Sequence, residues 1–380
     1  MNPNTVSRRQ VIVASAAAAV VGPWVPARAS SAWIIGQSAP LTGVLAASNA
    51  ETTAGAQLVF SRVNAAGGLF GKPLQLVSLD DAQDAKRAAD NTQQLLDQGA
   101  VALALYRTTP SITAALPLAQ KGGAPFIGSQ VGPSLLYEPA NEQVFNTRSR
   151  YHDEVARAVN FFAQLGVRRV AALVAGDSFG KDVMAGLVPA MAAANAELVA
   201  QATIDNRSAD ITQQLATLRK AEPQVVLLIS NAKAAAEFIK ASKRSGFNAT
   251  FVSLSNTSSA SYVKDLGTAA EGVVVTQVVP TPHSGRVRAV AEFRDVLQQG
   301  GSGTPPLSHA SLQGWLTGRF IVDLIRRAGP NATRERLVEA GRSGANFDLG
   351  DFTLAYSARN RQGSRLAELT VNGRDGRFMY

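Results

Sequence analysis

Residues 225–229 read Val-Val-Leu-Leu-Ile, a run of five apolar residues. A strand with one face in water alternates apolar and polar residues, whereas a parallel strand covered by helices on both faces is apolar throughout. The segment 232–245 that follows has apolar residues at helical spacing, and a second apolar run occupies 251–254. These residues predict a strand–helix–strand unit of a doubly wound parallel sheet.

The same alternation extends outward from this unit in both directions. Strands are predicted at 33–38, 74–79, 101–106, 125–128, 144–147, 170–175, 198–204 and 273–278. Helices are predicted at 51–66, 84–98, 112–121, 151–165, 181–194, 211–221, 287–298, 312–327 and 334–340, and a hairpin at 352–371 around Gly363. The rhythm restarts after residue 148, and 380 residues exceed one compact core. We therefore predict two doubly wound α/β units.

The composition excludes several classes of protein. The chain has 46% hydrophobic and 17% charged residues, which suits a folded globular protein. It contains no cysteine, so a disulfide scaffold, a cysteine nucleophile and a thiolate metal site are excluded. The net charge is +9, but no basic block or aromatic-interleaved basic stripe is present, and we expect no nucleic-acid partner.

The N-terminus has the three-part pattern of a secretory signal. Arg8 and Arg9 precede the uncharged stretch 11–21, and Ala-Arg-Ala follows at 27–29. The apolar stretch is much shorter than the roughly 20 residues that a membrane-spanning helix needs. We predict a signal peptide over residues 1–29, cleaved after Ala29, and a periplasmic or extracellular destination. The arginine pair is similar to a twin-arginine signal, and both the twin-arginine and the general export routes stay open.

The sequence Gly176-Asp177-Ser178-Phe179-Gly180 matches the nucleophile elbow of serine hydrolases and lies between a predicted strand and helix. A hydrolase would use Ser178 as nucleophile and His283 or His309 as base. No glycine-rich segment that could supply an oxyanion hole follows an early strand. A structural turn is therefore favoured over a catalytic elbow.

Other candidate sites of chemistry have simpler interpretations. Asp80, Asp81 and Asp84 lack the spacing of a calcium loop, and Asp84 is expected to cap the helix after it. The three histidines share no zinc-ligand spacing. No P-loop or dinucleotide motif follows any strand. We therefore expect no metal, no cofactor and no enzymatic activity.

Ligands of open parallel sheets bind at the carboxyl ends of the strands. The loop Arg107-Thr108-Thr109-Pro110-Ser111 follows such a strand and opens a helix. Its hydroxyl groups and backbone amides could hold a carboxylate or a phosphate, and Arg107 could add two hydrogen bonds. The alternative is that a threonine caps the helix and Arg107 lies at the surface.

Several segments, in this order and spacing, resemble the branched-chain amino-acid-binding type of periplasmic binding protein of ABC transporters. The resemblance spans nearly the whole chain after the signal. It rests on Gly-Gln-Ser-Ala-Pro-Leu-Thr-Gly at 36–43, Asn-Ala-Ala-Gly-Gly at 64–68, Gly71, the aspartates at 80, 81 and 84, Pro-Phe-Ile-Gly at 125–128, Val-Phe-Asn-Thr-Arg at 144–148, Asp-Ser-Phe-Gly at 177–180 and Glu-Gly-Val-Val-Val-Thr-Gln-Val-Val-Pro at 271–280.

The resemblance implies two Rossmann-like lobes of the type I periplasmic binding fold, joined by three crossovers near Arg148, Pro280 and Phe347. Lobe 1 would contain residues 30–147 and 281–346, and lobe 2 residues 148–280 and 347–380. The ligand would bind between the lobes, and the elbow-like motif would be the turn that brings Phe179 to the cleft.

By position, the resemblance also implies the ligand contacts. In the first lobe, these are Thr108, Thr109, Ser111, Gln130 and Gly132, with Arg107 as a departure from the usual small residue. In the second lobe, they are Phe179, Asn231 and Ser255, and Tyr151 is a further candidate for the wall of the cleft.

The acidic residue that would pair with a ligand ammonium falls at or beside Ser255 and is absent, which leaves Asp177 as the nearest candidate. A buried ammonium without a counter-charge is unfavourable, so we expect an organic or aromatic acid, or an amide-like molecule, rather than an ordinary branched-chain amino acid.

The function that follows is that of a monomeric solute-binding protein that delivers its ligand to the membrane permease of an ABC transporter. Two alternatives are a secreted serine hydrolase that uses Ser178 and a periplasmic sensor subunit of the same fold.

Overall fold

The computed structural model describes residues 32–206, 210–301, 303–344, 346–357, 360–374 and 378–379. The predicted signal peptide, with its cleavage point, lies outside these residues. Within the described ranges, no helix combines the length and the apolar character that spanning a membrane requires.

Strands and helices alternate along the chain, as predicted. The first unit contains strands β1 (Trp33–Ala39), β2 (Leu74–Asp80), β3 (Ala102–Ala104), β4 (Phe126–Ile127) and β5 (Val144–Phe145), with helices α1 (Ala46–Ala65), α2 (Ala85–Asp97) and α3 (Thr109–Lys121). The second contains α4 (Tyr151–Gln164), β6 (Arg169–Ala175), α5 (Ser178–Ala193), β7 (Glu197–Ile204), α6 (Thr212–Lys220), β8 (Val225–Ile229), α7 (Ala232–Arg244), β9 (Thr250–Ser253), α8 (Ala260–Leu266) and β10 (Val274–Gln277). The chain continues with α9 (Arg288–Gln299), α10 (His309–Ala328), α11 (Arg334–Arg342), β11 (Phe347–Asp348), β12 (Thr353–Leu354), β13 (Glu368–Asn372) and β14 (Phe378–Met379).

The two main sheets share one topology. The first is parallel, in the order β2-β1-β3-β4-β5. The second has the parallel order β7-β6-β8-β9-β10, extended at one edge by the antiparallel strands β13 and β14. The strand order reverses between β1 and β3 and between β6 and β8, and such points are where open α/β sheets bind ligands. The doubly wound α/β fold predicted from the sequence is confirmed.

Strand β8 shows why its sequence is apolar throughout. Val225, Leu227 and Ile229 belong to one buried cluster, and Val226 and Leu228 belong to another. Successive side chains of a strand point to opposite faces of the sheet, so each face of β8 meets its own layer of helices.

Three helices, α3, α5 and α10, begin three residues earlier than predicted because polar residues cap them. The Asp177 carboxylate accepts hydrogen bonds from the backbone amides of Phe179 and Gly180, so α5 begins at Ser178 rather than at 181. Ser308 forms a capping box with Ser311, so α10 begins at His309 rather than at 312. N-cap side chains satisfy amides that the first turn leaves without a partner.

The predicted hairpin over 352–371 is wrong. Strand β12 pairs with β11, whereas β13 pairs with β10 and β14. Alternation of apolar and polar residues identifies a strand with one exposed face but not the strand beside it.

The chain passes between the two sheets three times, through residues 146–150, through 278–287 and after Tyr356. The third crossing lies later than the predicted position near Phe347, because the Phe347 ring packs 4.8 Å from Phe320 and Tyr356 packs 5.3 Å from Phe145, both in the first unit. We propose that lobe 1 contains 32–147 and 281–356, and that lobe 2 contains 148–280 and 368–379.

A fully buried ion pair occupies the first crossing. Arg148 donates to the Glu154 carboxylate, to the Gln130 carbonyl at 2.7 Å and to Ser255 Oγ at 2.7 Å. Glu154 also accepts from the Ser255 amide at 2.9 Å and from Thr276 Oγ1. Both charges are 0% exposed, so each depends on the other and on these hydrogen bonds.

We expect Gly314→Ala to destabilise the fold by about 1–3 kcal/mol, because overpacking a close contact forces backbone shifts. Helices α1 and α10 cross where Gly314 meets the backbone of Thr52, and a Cβ on Gly314 would overlap the Thr52 carbonyl oxygen. Chemical denaturation measures the effect. Gly285 has open space around its Cβ position, so Gly285→Ala is the matched control; equal losses in both variants would contradict this packing.

We expect Glu154→Gln to lower the free energy of unfolding by about 3–5 kcal/mol, because it leaves the Arg148 charge buried without a counter-charge. The control is Glu197→Gln, at an exposed position on β7. A shift in the denaturation midpoint no larger than that of the control would show that the pair contributes little.

Candidate ligand-binding site

A cavity of about 600 Å³ lies between the carboxyl ends of the two parallel sheets. Its volume is typical of pockets for small organic molecules. The lining residues come from loops after the strands and from the first turns of helices: Leu45, Gln83, Asp84, Ala85, Lys86, Arg107, Thr108, Thr109, Pro110, Val131, Tyr151, Gly176, Asp177, Phe179, Thr203, Ile204, Asp205, Asn206, Asn231 and Asn256.

The residues predicted to contact ligand divide into two groups. Six of them line the cavity: Arg107, Thr108, Thr109, Tyr151, Phe179 and Asn231. Four do not line it and are buried beside the wall residues: Ser111, Gln130, Gly132 and Ser255. The candidate acid Asp177 is also part of the lining.

Arg107 is the buried cation of the cavity. It is 5% exposed, so the alternative of a surface arginine is wrong. Its Nη1 donates to Gln130 Oε1 at 2.9 Å, and its Nη2 donates to Ser48 Oγ at 2.8 Å and to the Asn256 carbonyl at 3.1 Å. Burial lowers the pKa of the guanidinium to about 10, which leaves it charged at neutral pH.

Arg107 is held in place by a strained turn after β3. Leu105 has a φ of 60°, in the left-handed region that most side chains avoid. Its carbonyl accepts hydrogen bonds from Gln37 Nε2 at 3.0 Å and from Gln130 Nε2 at 2.9 Å. Gln130 therefore bonds to both the turn and Arg107. This explains why Gln130 supports the cavity lining without being part of it.

The two threonines of the loop have different partners. Thr108 caps α3: its hydroxyl accepts from the Ser111 amide at 3.2 Å and donates to Ser111 Oγ at 2.8 Å. The capping alternative is therefore confirmed for Thr108. Thr109 is 3% exposed, and its Oγ1 forms no hydrogen bond with any described residue. A ligand could use the Thr109 hydroxyl without breaking an existing bond.

Four helices begin at the cavity, and their N-cap residues are part of its lining. The caps are Asp84 of α2, Thr108 of α3, Asp177 of α5 and Asn231 of α7. The predicted capping role of Asp84 is confirmed by its bond to the Arg87 amide at 2.8 Å. Helix N-termini carry partial positive charge, which favours anions.

Two aromatic rings form part of the wall. Tyr151 and Phe179 pack with their centroids 5.0 Å apart. The Arg148 guanidinium lies 5.2 Å from the centroid of the Tyr151 ring. Burial raises the pKa of Tyr151, so its hydroxyl remains protonated. This wall can contact an apolar or aromatic group and offers one hydroxyl.

Ser255 and Gly132 pack against the first crossing, residues 146–150, which we call the hinge, rather than against the cavity. Ser255 Oγ donates to Glu154 at 2.9 Å. Glu154 therefore supplies a carboxylate near the position where an acid was missing, but Arg148 neutralises it. The Gly132 carbonyl accepts from the Tyr151 amide at 2.8 Å, and a Cβ at this glycine would lie 2.8 Å from the Ser149 carbonyl oxygen.

Two loops of the lining were not predicted from the sequence. Residues 203–206 end and follow β7, and residues 83–86 follow β2. The rule that ligands bind after parallel strands also applies to these positions, because both strands are parallel to their neighbours. The loops could therefore have been found by applying that rule to every strand.

The elbow-like serine lacks the geometry of a nucleophile. Ser178 Oγ is buried and forms no hydrogen bond with any described residue. A catalytic serine requires a base within hydrogen-bond reach. Neither predicted base, His283 or His309, forms a hydrogen bond with Ser178, and burial lowers the pKa of His309 to about 3.

The comparisons with known proteins agree with this architecture. A possible leucine/isoleucine/valine-binding protein from Rhodopirellula baltica SH 1 is 26% identical, with a TM-score of 0.86 over 93% of this chain and 97% of that one. A substrate-binding periplasmic protein from Ralstonia solanacearum is also 26% identical, with a TM-score of 0.86 over 91% of this chain and 99% of that one. A solute-binding protein of an ABC transporter from R. palustris, in complex with benzoate, shares the fold at 18% identity, with a TM-score of 0.80 over 92% of this chain and 95% of that one.

In a search of curated proteins, the sequence finds no match. The sequence profile of the periplasmic binding protein family matches residues 33–373. The match includes every strand of both sheets except the edge strand β14, and every loop that lines the cavity. The chain therefore belongs to the periplasmic binding protein family.

Proposed function

We propose that the protein is an exported solute-binding protein that encloses a small carboxylic acid between its lobes and delivers it to the permease of an ABC transporter. The observation that carries the proposal is the charge of Arg107. This buried guanidinium has no acidic partner within 4.0 Å among the described residues. Glu51 acts on this charge only from beyond ion-pair distance, and a ligand carboxylate would supply a counter-charge in direct contact.

The hydrogen-bond donors of Arg107 support the same ligand. A guanidinium has five N–H donors, and three of them bond to Gln130, Ser48 and Asn256. Each of the two that have no described partner, one on Nε and one on Nη1, can donate one hydrogen bond to an anion. The Thr109 hydroxyl and the N-terminus of α3 add to the same anion site.

The carboxylates of the site argue against an ammonium on the ligand. Glu154 is fully buried and paired with Arg148, and Asp177 accepts two backbone hydrogen bonds as the cap of α5. An ammonium beside the bound carboxylate would also lie close to the Arg107 guanidinium, and like charges repel. The proposed ligand is therefore an organic acid without an ammonium near the carboxylate, and its apolar part would contact Tyr151 and Phe179.

Contacts across the cleft support binding by closure. Glu51 of α1 accepts from the amides of Ala260 and Ser261, both at 2.8 Å, at the start of α8. Ser134 of the first lobe donates to Asp182 of the second at 3.0 Å. A ligand that contacts both lobes favours the closed form by its differential affinity for the two forms.

The N-terminal signal pattern and the family support a periplasmic location. Delivery to a permease distinguishes this proposal from a sensor of the same fold. Ligand uptake by cells with and without the intact gene tests it: a sensor would change gene expression and leave the uptake rate through the cognate permease unchanged.

We expect Arg107→Gln to weaken carboxylate binding by about 10- to 100-fold, because hydrogen bonds to charged groups contribute about 1.5–3 kcal/mol. A thermal-shift screen of carboxylic acids, amides and amino acids against the wild type identifies a ligand, and calorimetry compares the variants. The control is Arg244→Gln, at an exposed position in the last turn of α7. Tight binding of leucine or valine with no response to simple acids would overturn the proposed ligand class.

We expect Glu51→Gln to weaken ligand binding at least about fivefold, because the Ala260 and Ser261 amides donate to different carboxylate oxygens and a glutamine can accept from only one of them. Losing one hydrogen bond costs about 1 kcal/mol and disfavours closure. Glu51 does not line the cavity, so a loss of affinity reports closure rather than ligand contact. Small-angle scattering with saturating ligand should show a more expanded variant than Glu197→Gln. Equal affinities and equal radii of gyration would contradict this role of Glu51.

A further inference from the structure

We infer that the cavity selects acids that carry a neutral hydrogen-bond donor beside the carboxylate, above all 2-hydroxy acids, and that Asn256 makes this selection. The inference rests on the proposed function, because it assumes a carboxylate bound at Arg107. The inference specifies, beyond the carboxylate itself, which chemical group the ligand carries on the adjacent carbon.

Asn256 lies beside the anion site. It follows β9 and lines the cavity, and its main-chain carbonyl accepts from Arg107 Nη2 at 3.1 Å. A carboxylate on the free donors of Arg107 is therefore held next to Asn256. The side chain of this residue is then within reach of a substituent on the adjacent carbon.

The side-chain atom of Asn256 that has no hydrogen-bond partner among the described residues is an acceptor, Oδ1. Its Nδ2 donates to the Ser230 carbonyl at 3.0 Å, and a carbonyl can only accept, which fixes the orientation of the amide. The remaining atom, Oδ1, is buried and forms no hydrogen bond with any described residue. A buried acceptor without a donor is unfavourable, so a ligand that donates a hydrogen bond to Oδ1 would bind more tightly.

The neutrality of this acceptor determines which donor it selects. A hydroxyl group needs one good acceptor, which Oδ1 provides. An ammonium needs a counter-charge when it is enclosed, and Asn256 has none. The order of affinity should therefore be 2-hydroxy acid, then unsubstituted acid, then 2-amino acid.

Two series of matched acids test this order by calorimetry. The first is 3-phenyllactate, 3-phenylpropionate and phenylalanine, and the second is 2-hydroxy-4-methylpentanoate, 4-methylpentanoate and leucine. Within each series, only the hydroxyl, hydrogen or ammonium on one carbon changes. We expect the hydroxy acid to bind about tenfold more tightly than the unsubstituted acid in the series that fits the cavity, as one hydrogen bond would give.

The variant Asn256→Asp should reverse the preference, because the new carboxylate attracts an ammonium and repels the ligand carboxylate. Asn256→Ala should abolish the difference between hydroxy and unsubstituted acids. Asn195→Asp, at an exposed position, controls for the added charge, and the melting temperature of each unliganded variant shows that it is folded.

The outcomes separate this inference from the proposed function. If unsubstituted acids bind as tightly as hydroxy acids and both exceed amino acids, the role of Asn256 is wrong and the carboxylate site stands. If the amino acid binds most tightly in the wild type, or if none of the six acids binds, both are overturned.

Discussion

The buried pair of Arg148 and Glu154 is the interaction on which the two lobes and the cavity between them depend. Two opposite charges without access to water must satisfy each other and bind every neighbouring donor and acceptor that is available. Arg148 therefore bonds to the Gln130 carbonyl on one side of the hinge and to Ser255 on the other. Gln130 in turn holds Arg107, and Ser255 directly precedes Asn256. The ion pair thus positions the cationic residue of the site in one lobe and a polar residue of the site in the other.

This arrangement leaves the cavity with an unequal distribution of charge. The carboxylate closest to Ser255 is neutralised at the first crossing, whereas the Arg107 guanidinium has no acidic partner within 4.0 Å among the described residues. Four helix N-termini add partial positive charge to the same space, and two of them are already capped by the carboxylates of Asp84 and Asp177. The lining carboxylates of Asp84, Asp177 and Asp205 keep contact with water, whereas the Arg107 charge is buried without an ion-pair partner in the described part of the chain, and this is the physical basis for proposing an anionic ligand.

The sequence was sufficient for the parts of the structure that depend on local pattern. Continuous apolar runs such as 225–229 predicted the parallel strands. The rule that ligands bind after parallel strands predicted Arg107 and Thr109 as cavity residues, and the family resemblance predicted Asn231. Contacts between distant segments could not be predicted in this way. The pairing of β13 with β10 depends on which sheet edge is free, and the burial of Gln130 and Ser255 depends on a hinge assembled from segments more than 100 residues apart. Assigning ligand contacts from the equivalent positions of a family identifies which residues lie near the ligand site. It does not separate the residues that line the site from those that support them.

The bonds of Arg107 also explain how binding and closure could be one event. The same Nη2 group that fixes Arg107 to Ser48 in the first lobe donates to the Asn256 carbonyl in the second. Opening the cleft would break that bond and return the Asn256 side chain to water, so the full set of contacts to a carboxylate and its neighbouring substituent exists only in the closed form. A ligand can shift the equilibrium between forms only by its difference in affinity for them. Placing part of the recognition on each lobe, with a cation bonded to both, makes that difference large.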